Sequence, residues 1–159
     1  MAALVGLFLQ LSADARNRRA EATLAYVQSY NSEPISSHRQ RLDRIWLERR
    51  PEVALLNQTG GLTRAGLDRL VRFTLAQADA KAGPGATPIA LSVQELASFY
   101  DQVAICVEQN LCDEGIVKPY FYRNMHAFWT YYQATVREMR PAVSDEFGAS
   151  LERLVGRME

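Results

Sequence analysis

Apolar positions recur along the chain at steps of three and four residues, and no stretch holds the two-residue alternation of a half-buried strand. Leu24, Val27 and Tyr30 form one such stripe. Leu42, Ile45 and Trp46 form a second, and the run Leu67, Leu70, Val71, Thr74, Leu75, Ala78 a third. Leu96, Phe99, Val103 and Val107 make a fourth, and Phe147, Leu151, Leu154, Val155 and Met158 close the chain with a fifth. This spacing puts each set on one face of a helix. It predicts an all-α fold: an irregular bundle of five or six helices with a long N-terminal helix and mostly short turns.

Start and stop signals set the expected boundaries. Ala, Leu, Arg, Gln and Glu dominate from near Met1 to Tyr30, a composition that favours a first helix. Pro34 then forces the residue before it out of helical geometry. Ser36 or Ser37 can cap a short second helix ending near Pro51, and Gly60 and Gly61 break the chain before Thr63 caps a third. Lys81 to Pro88, KAGPGATP, reads as a loop. Ser92 and Glu95 form an S-x-x-E capping box that predicts the next helix start, and Asn110, tolerant of left-handed geometry, closes that helix. Asp113 caps a further helix, with Glu114 favourably placed against its dipole. This helix is expected to kink around Pro119 and to end at Pro141, and a last one to begin near Ser144. The organisation expected is an N-terminal helix, residues 1–33, and a helical domain, residues 34–159, with its loop near 81–88.

The opening residues change the picture most. Met1 to Leu11, MAALVGLFLQL, are apolar but for Gln10, and Arg16, Arg18 and Arg19 follow. Eleven helical residues span about 16 Å against a hydrocarbon core of about 30 Å, too short to cross it. A signal peptide carries its positive charges before its apolar run, and here they come after. Three readings stay open: a membrane anchor whose start lies upstream of Met1, an interfacial helix lying on the bilayer, and a soluble helix packed into the domain or a partner. In the first two, Leu4, Leu7 and Phe8 meet lipid, and Arg16, Arg18 and Arg19 meet headgroups on the cytoplasmic side. From Asp14 to Arg50 eight Arg stand against five acidic residues, an excess that suits anionic headgroups as well as it suits a solvated face.

With 18 Lys+Arg and 18 Asp+Glu, the 159-residue chain has no net charge, which argues against a nucleic-acid partner. Its length supports a core without disulfides or metal. Cys106 and Cys112 are six apart, about 240° around a helix, so the expectation is two reduced thiols on different faces, neither bridged nor ligating zinc. Such thiols suit a reducing cytoplasm.

Nine of the 15 aromatics fall between Phe99 and Tyr132. Neighbours on a helix point about 100° apart, so one core cannot take them all. Tyr120, Tyr122, Trp129, Tyr131 and Tyr132 are therefore candidates for a partner-binding surface, where an aromatic ring packs while its polar atom stays hydrogen-bonded. His126 has no carboxylate, Cys or Ser at a useful spacing, and His38 is placed in a polar loop. No catalytic, metal or cofactor residue is assigned. An enzyme would need His126 brought close to Asp101, Glu108 or a Cys by the fold.

Two segments carry a resemblance: Arg18-Arg19-Ala20-Glu21-Ala22-Thr23-Leu24, directly after the apolar helix, and the stretch from Phe99 through Cys106, Asn110-Leu111-Cys112-Asp113-Glu114 and Trp129 to Arg137 and Arg140. Together they resemble small bacterial proteins grouped as domain of unknown function family 4760. The resemblance implies an N-terminal transmembrane helix followed by a cytoplasmic helical domain, and it transfers no catalytic or binding residue. The short anchor and the Gly/Pro insert near residue 85 depart from the family pattern. The functional expectation is a non-enzymatic, membrane-proximal helical protein on the cytoplasmic side of the bacterial inner membrane, docking another protein or a second copy, for instance as an accessory subunit. The alternative is a soluble cytoplasmic regulator that binds a small molecule or nucleic acid.

Overall fold

In a computed structural model, which describes residues 2–58 and 63–158, every regular element is helical. Helix α1 (Ala2–Asn31) leads into α2 (Ile35–Gln58), α3 (Arg64–Ala82) and α4 (Ile89–Glu108). A short α5 (Glu114–Val117) then runs through a π-helical turn, Lys118–Tyr122, into α6 (Arg123–Val143), and α7 (Ala149–Gly156) follows. The all-α bundle and its long first helix stand as expected. Gly60 and Gly61 lie outside the described residues.

Helix α4 is the axis of the bundle. Half of its length is buried, including Val93, Ala97, Val103 and Ala104 without any exposure, because α2, α3, α6 and α7 pack around it. The π turn explains how so many rings enter the core. Val117, Phe121, Met125, Phe128, Tyr132 and Val136 are all buried, and their early spacing of four outruns the α-helical repeat. The wider turn around Phe121 absorbs that excess and keeps the stripe on one side. Tyr30, Phe99, Tyr100, Phe121, Phe128 and Tyr132 form a continuous ring stack with neighbouring centroids 5.0–5.9 Å apart.

Several boundaries differ from expectation. Helix α2 continues through Pro51 to Gln58, and α6 through Pro141 to Val143. Pro51 removes the hydrogen bond to the Leu47 carbonyl, at an exposed position where water can satisfy it. Ser92 is not a cap: it lies buried within α4, and the helix begins three residues earlier because Asp79 Oδ1, from the end of α3, accepts from the Ile89 amide at 2.6 Å. His38 lies on α2 and not in a loop, with Nδ1 3.1 Å from Ser92 Oγ. The last helix begins at Ala149, after Gly148 turns the chain at φ 71°. Thr63 and Asp113 cap as expected, accepting from the Gly66 and Gly115 amides.

The cysteines overturn the expectation of free thiols. Cys106 and Cys112 are joined in a disulfide, with Cα atoms 5.2 Å apart. The helical rotation that separates them on paper stops at Asn110, whose left-handed φ of 54° ends α4 and folds the chain back. The Leu111 and Cys112 amides then both donate to the Cys106 carbonyl, at 2.9 and 3.1 Å.

Candidate functional site

From Gln10 to Arg18 every residue of α1 is exposed, Arg16 and Arg18 among them. The side chains of Leu4, Leu7 and Phe8 lie outside the described residues. Among the described residues no helix is long and apolar enough to cross a membrane. Attachment begins at Arg19, whose guanidinium donates to Asn110 Oδ1 at 2.9 Å. One turn on, Thr23 is 0% exposed. Its hydroxyl donates to the Arg19 carbonyl and accepts from the Asp113 amide, both at 2.8 Å. The turn closed by the disulfide is thus the seat of α1.

A cleft of about 270 Å³ opens on another face, between α2 and α6. Buried Tyr30, Tyr100, Phe128 and Tyr132 supply its floor, while Arg39, Asp43, Trp46 and Tyr131 stand at its rim. Trp46 and Tyr131 pack at 4.9 Å, and Trp46 Nε1 donates to the Tyr132 hydroxyl at 2.5 Å. The Tyr30 and Tyr100 hydroxyls are paired at 3.1 Å, and the Arg39 guanidinium sits 4.3 Å over the Tyr30 ring. Burial pushes the Tyr100 and Tyr132 phenols well above their ordinary range, so both are neutral donors at any physiological pH. A hydroxyl carries one hydrogen, so the Tyr30–Tyr100 pair leaves one O–H donor spare, and the Tyr132 O–H is free to donate while it accepts from Trp46.

The five aromatics singled out in the sequence are only partly brought together. Tyr131 and Tyr132 share the cleft, one at the rim and one at its floor. Trp129 is buried, with the Arg137 guanidinium 5.5 Å over its ring. Tyr120 is exposed on the π turn, and half-buried Tyr122 donates to Glu114 Oε1 at 2.7 Å. Sequence reasoning missed Tyr30, Arg39 and Trp46 as cleft residues. Trp46 carried the one available signal, a large ring beside the apolar stripe of α2.

The acidic groups that an enzyme would need beside His126 are engaged elsewhere. Asp101 Oδ1 accepts from the Leu151 amide at 2.9 Å, and Glu108 is bidentate to Arg153 at 3.1 and 3.0 Å. The Arg153 hydrogen bonds hold the Glu108 carboxyl below its ordinary value, against the opposing effect of burial. Burial pushes Glu152 upward, but hydrogen bonds from Arg137 and Arg140 prevail and its carboxyl is also held low. Among the described residues no group of three or more His, Cys, Asp or Glu is placed to hold a metal ion.

Against known families, residues 1–158 match the one described as a domain of unknown function, DUF4760. The chain belongs to this family. Searches of curated proteins and of solved structures return no significant match to this DUF4760 chain.

Proposed function

We propose that the protein is a non-enzymatic helical adaptor held at a membrane surface by the exposed half of α1, with the cleft between α2 and α6 as its docking point for another protein. The observation that carries this reading is the unbroken exposure from Gln10 to Arg18, directly beyond the apolar run that opens the chain. A helical segment this exposed is marginal in water, and an apolar end with a basic collar is stabilised at an anionic interface. Its apolar end enters the acyl region and its basic collar stays among the headgroups.

Arg16 and Arg18 favour the cytoplasmic leaflet of the bacterial inner membrane. Cys106 and Cys112 are 6% and 3% exposed, which slows attack on the disulfide by thiol reductants there. At the cleft, Tyr131 and Trp46 frame a slot sized for one apolar side chain of a partner, and Arg39 and Asp43 supply polar edges.

Fractionation of cells expressing the full chain tests the first half, with recovery in the membrane pellet expected and complete recovery in the soluble fraction fatal to it. For the second half, Tyr131→Ala should weaken capture of the partner while leaving the melt cooperative. Unchanged capture refutes the cleft as docking point. A soluble regulator that takes a small molecule is the second reading, and the spare O–H donor of the Tyr30–Tyr100 pair beside Arg39 is what favours it.

A further inference from the structure

We propose that the disulfide-closed turn, with Leu111 at its tip, is a second lipid contact that seats the body on an anionic bilayer beside α1. This rests on the reading of α1 as the membrane-bound element, and it adds how the body is oriented. Leu111 is 60% exposed and Leu11 is 59% exposed. These two leucines line one open groove of about 560 Å³, together with Asp14, Arg18, Arg19 and Asn110.

The exposure of Leu111 is built in. Its amide donates to the Cys106 carbonyl at 2.9 Å, the preceding Asn110 is held by Arg19, and the following Cys112 is bridged to Cys106. All of these contacts use backbone or neighbouring side chains, and none requires an apolar group at position 111. A rigid turn that presents a leucine to solvent matches a shallow apolar contact.

Charge and depth identify the occupant as anionic phospholipid. Over residues 14–19, Arg16, Arg18 and Arg19 face a single acidic residue, Asp14, a balance suited to phosphodiesters. The acidic residues just beyond Leu111 are already used: Asp113 caps α5 and Glu114 pairs with Lys118 at 3.3 Å. Arg18 lies seven residues beyond Leu11, about 10 Å along the helix axis. With Leu11 at the edge of the hydrocarbon, Arg18 therefore stands among the headgroups, and Leu111 lines the groove that holds both.

The test uses the full, oxidised chain with extruded vesicles of phosphatidylcholine alone or mixed with phosphatidylglycerol, read by flotation. Wild type should float with the mixed vesicles and far less with the neutral ones. Leu111→Asn should weaken partitioning roughly tenfold, the effect of withdrawing most of one leucine from an apolar phase. Leu111→Met should retain binding, and circular dichroism should report the same helicity and melt for both variants. In Leu111→Trp, the new indole should be quenched by lipids brominated near the headgroup, above the background of Trp46 and Trp129.

Failure of wild type to bind either vesicle overturns the membrane reading of α1 and this proposal with it. Binding of wild type with Leu111→Asn unchanged, or no added quenching in Leu111→Trp, overturns the second contact alone. Equal binding to neutral and anionic vesicles refutes the anionic occupant.

Discussion

Thr23→Val isolates the joint between the stem and the body. The substitution keeps the size and branching of the side chain but removes a hydroxyl that is 0% exposed and makes two hydrogen bonds of 2.8 Å. The Arg19 carbonyl keeps its helical environment, so the loss falls on the Asp113 amide, half-buried at the start of α5 and left without its acceptor. An abandoned buried donor costs about 1–3 kcal/mol. For a chain of this length each kcal/mol lowers Tm by about 2–4 °C, which places the expected fall between roughly 2 and 12 °C. Urea denaturation should show a lower midpoint at an unchanged slope, because the surface exposed on unfolding is the same. Thr23→Ser, which retains the hydroxyl, should lose only the contribution of a methyl group. A Thr23→Val protein within about 0.5 kcal/mol of wild type would refute the claim that this hydroxyl ties α1 to the disulfide turn.

Three further outcomes follow from the same contacts. Reducing the Cys106–Cys112 bond, whose partners are six residues apart, should destabilise the fold by roughly 2 kcal/mol in the chain-entropy account, and thiol titration of the unfolded, unreduced protein should find no free cysteine. Gly148→Ala should cost about 2 kcal/mol or more in thermal unfolding: the residue sits at φ 71°, and an added Cβ meets Val136 Cγ1 at 2.7 Å. Glu108 and Glu152 are held below the ordinary value of 4.5, so their contribution is complete above that pH and lost as pH falls through their lower folded values. Stability measured from pH 6 down to 3 should therefore decline with acid, and Glu108→Gln should flatten that decline. A parallel decline in the variant contradicts the assignment.

Periodicity carried the fold because packing follows it: Leu96, Phe99 and Val103 of one stripe lie in the core, although Leu24, at the head of the first stripe, is exposed. Caps at Thr63 and Asp113 were legible, and so was the left-handed Asn110, whereas Ser36 and Ser37, expected to cap the second helix, lie inside α2 and donate to the Glu33 carboxylate and the Pro34 carbonyl. Features built by distant partners were not legible. Ser92 and Glu95 have the spacing of a capping box, yet Asp79 reaches across the 83–88 loop and caps the helix earlier, leaving Ser92 to meet His38. The disulfide escaped for a related reason, since helical rotation was extended past the residue that ends the helix. The aromatic candidates assumed uniform winding. The π turn instead takes Trp129 and Tyr132 inside, and only α2 in place reveals that Trp46 and Arg39 complete a cleft with Tyr131.

Hydrogen–deuterium exchange on the full chain, with and without anionic vesicles, tests the stem most directly. Amides from residue 10 to 18 should exchange fast in buffer, because every residue of that segment is exposed, and slow markedly when vesicles are added, while those of α4 stay protected throughout. Slow exchange of residues 10–18 in buffer alone, or the same fast exchange with vesicles present, would contradict an exposed helix that lipid covers.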